Sequence, residues 1–335
     1  MTTPSDGAQP IGVLLMTFGT AETLDDVPAY LSSVRGGRPV PDELVAEMRR
    51  RFALVGGSPL TRITRDQAKA LEVELNATDG GGQSFRVAVG MRHAPPFIAE
   101  GVAELVAAEA LRVVAVVLSP QFSPIIMGGY TRALEAAKAA HPGVEITTAG
   151  PWHDSPMFVE ALSRRVREAL GKLPAEERGT VPVLFTAHSL PKSVADGEPE
   201  YIAQLQETAR LAAAGAGLPD AQWRFAYQSA GHTPEEWLTP DVKDLFPELR
   251  AAGHARALVA PVQFLADHLE VRYDIDVAAR EQAEMAGMSL DRTESLNTMP
   301  LFIRALADVV RGEVGGGMSR TERALKKEDI AAKVE

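Results

Sequence analysis

The chain has 335 residues, enough for two domains of ordinary size, and its content of 45% hydrophobic and 24% charged residues is typical of a folded globular protein. Its formal net charge of −11 argues against general nucleic-acid binding, which needs a basic surface. The absence of cysteine excludes disulfides, Cys-ligated zinc, Cys-ligated iron–sulfur clusters and thiol catalysis.

The chain begins with a polar segment, MTTPSDGAQP, that has neither the positive start nor the apolar stretch of a signal peptide. We expect residues 1–10 to be flexible. No uncharged apolar run approaches the roughly 18 residues that a membrane span needs. The sequence therefore predicts a cytoplasmic protein without a transmembrane segment.

Short apolar runs, rich in Val and Leu and without polar alternation, predict buried parallel strands. They lie at residues 11–18, 86–91, 112–120, 144–150, 181–189, 223–229 and 256–264. Intervening segments such as 97–110 and 156–171 have helical spacing. Strand–helix–strand alternation predicts an α/β architecture with parallel sheets and right-handed crossovers.

The order of these parts occurs twice along the chain. Residues 86–122 and 223–264 each run from a strand through a His-containing loop and a helix to a strand that ends in Gln-Phe. This indicates two similar α/β halves facing one cleft, which we place at 11–150 and 151–312. The charged tail at 313–335, with a Gly-rich start, should be flexible. Sites in such folds lie beyond the carboxyl ends of strands.

One candidate site residue follows the strand at 181–189. His188, in AHSLP, lies where chemistry is expected, and Pro191 stiffens its loop. A catalytic histidine and a histidine that only hydrogen-bonds a neighbouring loop both fit this position.

A second candidate is the acidic end of the run LVAPVQFLADHLEVRYDID at 258–276. Asp267 can cap a helix that begins at His268, with Glu270 at the third helical position as in a capping box. The cap does not explain Asp274, four residues after Glu270 on the same helical face. A row of carboxylates near a histidine indicates a proton relay or a path for a hard cation. His268 should point about 200° away from Glu270, outside that row.

Positive charge is concentrated within residues 35–51 of this otherwise acidic chain. Either a solvated helix face or a dock for a polyanionic ligand fits that cluster. The turn GGSPL at 56–60 lacks the Lys-Ser/Thr ending of a P-loop, and there is no GxGxxG. A nucleotide-binding protein is therefore disfavoured.

Taken together, several motifs closely resemble the ferrochelatase family, in the same order over residues 11–311. They are LLMTFGT (14–20), VGGSPLTRITRDQAKAL (55–71), AHSLP (187–191), YQSAGHTPEEWLTPDV (227–242) and PVQFLADHLEVRYDID (261–276). The likeness is greatest to the Gram-positive-type enzymes that use coproporphyrin III. It implies a lyase of haem biosynthesis that inserts Fe²⁺ into a porphyrin. It also implies two Rossmann-like domains with parallel sheets facing a central cleft, the class II chelatase fold.

The resemblance makes His188 and Glu270 the catalytic residues, facing each other across the porphyrin. An imidazole and a carboxylate can accept the two pyrrole protons that leave, and can bind the metal transiently. Asp274 matches the next acid of the family's carboxylate row, an outer metal position. The following acid would fall at Ala278, so an outer cation site should be weakened or missing.

The resemblance also implies a set of porphyrin-binding residues on the other wall, with arginines that pair with propionates. GGSPL is one residue shorter than the family's commoner turn, so the serine assignment could shift by one. The first position of the set carries a tyrosine ligand to haem iron in many Gram-positive-type enzymes but has no oxygen here. The set is Phe18, Arg35, Arg51, Ser58, Arg92, His93 and Tyr130.

On this reading Fe²⁺ is a substrate, and the chain has no permanently bound cofactor and no iron–sulfur cluster. We expect a monomer, with porphyrin and Fe²⁺ as its substrates and a transient haem-pathway enzyme as a further partner. The alternatives are a protoporphyrin IX ferrochelatase, another class II tetrapyrrole chelatase and a non-catalytic porphyrin- or haem-binding protein.

Overall fold

The computed structural model describes residues 9–77, 83–231 and 234–315, and within these ranges two four-stranded parallel sheets form. The first sheet has the strand order β2-β1-β3-β4 and the second the order β6-β5-β7-β8. The strands are β1 (Ile11–Thr17), β2 (Phe85–Met91), β3 (Arg112–Val117), β4 (Glu145–Thr148), β5 (Val183–His188), β6 (Trp223–Gln228), β7 (Arg256–Pro261) and β8 (Ser289–Arg292). The two sheets repeat one topology, so the predicted α/β fold with two parallel sheets is confirmed.

Helices cover the sheets and connect their parallel strands. They are α1 (Val27–Val34), α2 (Asp42–Val55), α3 (Leu60–Ala77), α4 (Ile98–Ala107), α5 (Pro124–Ala140), α6 (Pro156–Gly171), α7 (Lys192–Ala195), α8 (Pro199–Ala216), α9 (Val242–Ala251), α10 (Arg280–Met285) and α11 (Pro300–Val314). A π-helix, Val271–Ala279, runs directly into α10. None of the described helices is long and apolar enough to cross a membrane.

The edge strand β8 lies outside every predicted run. It has four residues, and Leu290 is the only one whose side chain is buried. It is recognised by its pairing with β7, in which Ser289 lies opposite Arg256. A charged edge strand of this length has no apolar run to reveal it.

One apolar core is continuous between the two sheets. Leu15 of β1, Phe185 of β5 and Phe302 of α11 belong to the same buried cluster. Full burial of a side chain of this size contributes about 1.5–3 kcal/mol. One buried cluster contains residues of both halves, so burial does not mark where one domain ends and the next begins. The domain boundary near residue 150 therefore stays a prediction.

Helix α11 packs against both α3 of the first half and α6 of the second half, and so connects the two halves. It continues to Val314, whose carbonyl accepts a hydrogen bond from Arg112 Nη2 at 3.2 Å. The remainder of the predicted flexible tail, 316–335, and residues 1–8 lie outside the described ranges.

A small separate cluster forms where α1 and α2 meet. Val27, Leu31 and Phe52 are buried together, and Leu269 from the other half of the chain packs against them. We call residues 27–55 the α1–α2 unit. Its contact with Leu269 places it beside the start of the π-helix.

Candidate active site in the cleft between the sheets

Most strands end at a single large cleft with a volume of about 820 Å³. That size lies within the usual range for small-molecule sites, about 300–1,000 Å³. Residues at or just past the carboxyl ends of strands line it: Phe18, Arg92, Ser119, His188, Ser229 and Gln263. The cleft is therefore where the topology of an open parallel sheet predicts a site.

His188 is the last residue of β5, and its surroundings fix the ring. Its backbone N–H donates to Gln263 Oε1 at 2.9 Å, and Gln263 Nε2 donates to the Tyr201 hydroxyl. The Nδ1 atom of His188 contacts the carbonyl oxygen of Ser189, which can only accept. Nδ1 therefore carries the proton, and in the neutral ring the Nε2 lone pair is available for a proton or a metal ion.

Glu270 faces that nitrogen. Its Oε2 lies 3.7 Å from His188 Nε2 and 4.0 Å from His268 Nε2. The first separation is too long for a direct hydrogen bond. Bonds of about 2.0–2.2 Å from nitrogen and oxygen to a divalent metal could span it. His188 and Glu270 can thus act together on one cation or exchange a proton.

The predicted capping role of Asp267 is wrong. Its carboxylate accepts hydrogen bonds from Ser295 Oγ at 2.8 Å and Asn297 Nδ2 at 3.1 Å, and no side chain caps the helix. The helical residues begin at Leu269, so His268 precedes the helix and the angle expected for it does not apply. His268 instead approaches Glu270, and sequence reasoning missed this contact.

The four acids of this segment form two pairs with different surroundings. Arg292 binds Asp276 through two hydrogen bonds of 2.8 and 3.0 Å and lies 3.4 Å from Asp267. Burial alone would raise the pKa of Asp267, but its hydrogen bonds and Arg292 outweigh burial and lower it. Asp267 and Asp276 thus anchor β8, and Glu270 and Asp274 line the cleft.

The carboxylate row begins at Glu270, directly before the π-helix, and continues into that π-helix at Asp274. The i→i+5 hydrogen bonds of this helix widen the turn, and such segments are frequent at functional sites. Glu270, Asp274, Ala278 and Gln282 all line the cleft. Ala278 therefore occupies the row as expected, and Gln282 continues it with an amide.

Asp274 occupies a partly buried position in the lining of the cleft. Burial raises its pKa, and the neighbouring Glu270 charge adds to that rise. A hydrogen bond from Ser229 and the charges of Arg51 and His188 oppose it. Arg51 Nη1 lies 3.9 Å from Asp274 Oδ1.

Arg51 also connects the α1–α2 unit to the π-helix. Its guanidinium stacks 4.6 Å from the centre of the Tyr273 ring, and its Nε donates to Glu47 at 2.8 Å. Arg50 Nη2 donates to the Tyr273 hydroxyl at 2.7 Å. The basic cluster is thus partly a contact between two elements and not only a solvated helix face.

The opposite wall carries Phe18, which is 39% exposed. The His93 ring lies 4.4 Å from the Phe18 ring, and its Nδ1 lies 3.0 Å from Ser33 Oγ. Burial, aided by the Arg92 charge, lowers the pKa of His93 to about 4. His93 is therefore neutral at pH 7, and it is itself buried against Phe18.

Arg92 and Tyr130 lie next to Phe18 on this wall. The Arg92 guanidinium is 6.0 Å from the centre of the Phe18 ring and 5.9 Å from that of Tyr130. Gly129 lies so close to Arg92 that an added Cβ there would overlap the guanidinium. The glycine therefore makes room for a positive charge at the cleft.

The porphyrin-binding set is only partly brought together. Phe18, Arg51, Arg92 and Tyr130 line the cleft. Arg35 is exposed at the end of α1, and the Ser58 hydroxyl is buried with no hydrogen-bond partner among the described residues. The roles assigned to this set stay a prediction. Sequence reasoning missed Tyr30, Ser229 and Lys243, which also line the cleft.

The chain is similar in sequence to one protein family over most of its length. A sequence model described as Ferrochelatase matches residues 10–314. A relative from Deinococcus radiodurans, named Ferrochelatase, is 39% identical over 305 residues, or 90% of this chain and 95% of the relative. Relatives named Coproporphyrin III ferrochelatase include one from Geobacillus kaustophilus (38% identical, 89% of this chain and 94% of the relative) and one from Bacillus subtilis (36%, 91% and 98%).

Solved structures show the same fold at low sequence identity. "SirB from Bacillus subtilis with Fe3+" superposes with a TM-score of 0.56 at 13% identity, over 90% of this chain and 94% of that one. The sirohydrochlorin chelatase SirB from Bacillus subtilis subspecies spizizenii, in complex with cobalt, gives 0.54 at 12% identity, with the same coverage. These likenesses establish the two-sheet chelatase architecture.

Proposed function

This chain belongs to the ferrochelatase family, and from that premise we propose that it inserts Fe²⁺ into coproporphyrin III in the cleft between the sheets. Members of this family are porphyrin metal chelatases, lyases of haem biosynthesis.

The reaction exchanges one Fe²⁺ for the two N–H protons of the porphyrin. His188 Nε2 and Glu270 supply a base and an acid–base partner 3.7 Å apart, which supports proton removal from one face of the ring. The same two atoms can bind Fe²⁺ while it loses water, before pyrrole nitrogens replace them. Asp274, one turn further along the π-helix, extends the path toward Ala278.

The preference for coproporphyrin III is supported by cations on several sides of the cleft. Arg51 of α2, Arg92 after β2 and Lys243 of α9 all line it. Coproporphyrin carries four propionates, and guanidinium groups pair well with carboxylates. Relatives at 36–38% identity carry the name coproporphyrin III ferrochelatase.

The observation that carries this function is the His188–Glu270 pair at the cleft. A substrate comparison tests it: Zn²⁺, an air-stable surrogate, is supplied with coproporphyrin III or protoporphyrin IX, and the Soret shift is followed. We expect a higher kcat/KM for coproporphyrin III. Faster turnover of protoporphyrin IX would reject the substrate assignment, and tight haem binding with no insertion would favour a porphyrin carrier.

We further propose that the protein acts as a cytoplasmic monomer in which Fe²⁺ is only a substrate. No resident cofactor or iron–sulfur cluster is needed for a proton-for-metal exchange, because no electron is transferred. The haem product must then pass to a further enzyme of the pathway, and the open cleft supports direct transfer.

A further inference from the structure

Helix α5, in the first half of the chain, brings three side chains to the cleft. Ile125, Ile126 and Tyr130 all line it. Ile125 is 59% exposed, so its apolar side chain is available to contact a flat apolar ligand. Ile126 also packs against a buried cluster that contains Tyr201 and Leu205 of α8, a helix of the second half. The wall that α5 forms is therefore held against α8.

Two buried residues of α8 bind the loop that leads into α5. Gln204 Oε1 accepts a hydrogen bond from the backbone N–H of Phe122 at 2.7 Å, and Thr208 Oγ1 accepts one from Gln121 Nε2 at 3.1 Å. Residues 204 and 208 are four positions apart and so share one face of the helix. One face of α8 thus holds the loop directly before α5.

Glu198, the residue directly before α8, makes a third contact of this kind. Its Oε1 accepts a hydrogen bond from the backbone N–H of Ile125 at 3.1 Å. The first N–H groups of an α-helix have no partner within the helix. In α5, Pro124 has no N–H, and the N–H of Ile126 donates to Ser123 Oγ at 3.2 Å. Glu198 therefore completes the first turn of α5, where a negative charge is favourable.

Helix α8 holds the proposed catalytic histidine as well. The Tyr201 hydroxyl accepts from Gln263 Nε2, and Gln263 Oε1 accepts from the backbone N–H of His188 at 2.9 Å. Glu198 itself is only 5% exposed, and burying a carboxylate costs free energy that its hydrogen bond must offset. One helix thus holds both sides of the cleft, α5 through Glu198 and His188 through Tyr201.

We propose that Glu198 is a positioning residue for the porphyrin: its carboxylate holds the start of α5, with Ile125 and Ile126, at a fixed distance from His188. The proposal rests on the proposed function, because it takes the ligand of the cleft to be a porphyrin. Glu198 is not among the described residues that line the cleft. It therefore acts through the backbone of α5 and not by contact with the ligand.

Substitutions of Glu198 separate the hydrogen bond from the charge. Glu198→Gln keeps an oxygen that can accept from the Ile125 N–H, whereas Glu198→Ala removes it. We expect Glu198→Ala to bind coproporphyrin III about tenfold more weakly in fluorescence-quenching titrations without metal, and Glu198→Gln to stay within about twofold of the wild type. At saturating porphyrin, kcat should be unchanged in both variants, because His188 and Glu270 are untouched and only binding is lost.

Glu72 provides a matched control. Its Oε2 accepts a hydrogen bond from the backbone N–H of Val87 at 2.8 Å, and neither residue belongs to the described lining of the cleft. Glu72→Ala therefore removes the same kind of contact within the first half without touching α5. We expect wild-type porphyrin affinity in this variant, even where its melting temperature falls as far as that of Glu198→Ala.

Wild-type affinity in Glu198→Ala would overturn the proposal. An equal loss in Glu198→Gln would overturn it too, since the hydrogen bond would not be what matters, and so would an equal loss in Glu72→Ala, since affinity would then follow stability. Should Glu198→Ala not fold, Glu198→Met, which fills a similar volume without an oxygen, takes its place. Because binding is measured without metal, a wild type that binds porphyrin but inserts no metal rejects the proposed function and leaves this test intact.

Discussion

At the scale of single residues, His188 and Glu270 are placed for chemistry rather than for stability. Their side chains are 32% and 42% exposed, so their removal costs little folding free energy. We expect His188→Ala and Glu270→Gln each to lower the insertion rate by about 100-fold or more, since each removes a proton acceptor. Soret spectroscopy measures the rate, and thermal melts monitored by circular dichroism check the fold. Wild-type rates in either variant would reject the assignment.

His93 gives a prediction about pH and stability. The folded-state pKa is about 4, below the usual 6.5, because the ring is buried near Arg92. Between these values the unfolded chain binds a proton that the folded chain does not. The contribution of His93 is therefore fully present above about pH 6.5 and is lost as the pH falls toward 4.

Urea unfolding at a series of pH values measures this contribution. We expect the wild-type midpoint to fall more steeply than that of His93→Gln between pH 7 and pH 4.5, because glutamine does not titrate. Other groups titrate equally in both proteins, so their effect cancels in the difference. Parallel curves would show that His93 is not held neutral by the fold.

At the scale of elements, Arg292 attaches the edge strand β8 to the start of the π-helix. Its side chain is 15% exposed and neutralises Asp267 and Asp276. Arg292→Met leaves two partly buried carboxylates without their cation, which should cost about 3–5 kcal/mol of unfolding free energy.

Chemical denaturation measures that loss, with Arg224→Met as the matched control. Arg224 pairs with Glu248 at 2.8 Å, but the two side chains are 46% and 58% exposed. Exposed pairs of this kind contribute at most about 1 kcal/mol. Equal losses in the two variants would contradict the anchoring role of Arg292.

The contact between the α1–α2 unit and the π-helix is the second prediction at this scale. Tyr273→Ala removes both the stacking with Arg51 and the hydrogen bond from Arg50, whereas Tyr273→Phe removes only the hydrogen bond. We expect amide exchange within residues 27–55 to accelerate most in Tyr273→Ala and less in Tyr273→Phe. Unchanged exchange in Tyr273→Ala would show that other contacts, such as those of Leu269 and Asp274, hold the unit.

The strands that stand out most clearly in the sequence are those buried on both faces. β1 and β5 stand out because every residue, or all but the last, is buried. β8 does not, because its single buried residue leaves no pattern. The sequence does not indicate the π-helix either, because the spacing of apolar residues does not distinguish i→i+5 from i→i+4 hydrogen bonding. The capping box is wrongly predicted because the helix begins only at Leu269 and the Asp267 carboxylate binds Ser295 and Asn297 instead.

At the scale of the whole molecule, the site is assembled from distant parts of the chain. Family motifs in the sequence identify His188 and Glu270, but not their 3.7 Å separation, which depends on the packing of β5 against the segment after β7. Cleft-lining residues such as Lys243 and Tyr30 carry no local signal. Arg35, by contrast, matches a motif position but is exposed outside the cleft lining.

The most direct test of the account is metal insertion by the wild-type protein. Purified protein is mixed anaerobically with Fe²⁺ and coproporphyrin III, and the absorption spectrum is followed against a protein-free control. The account predicts the Soret shift of the iron porphyrin at a rate far above the control, and loss of that rate in Glu270→Gln. A spectrum of bound but metal-free porphyrin, unchanged over the same time, would contradict it.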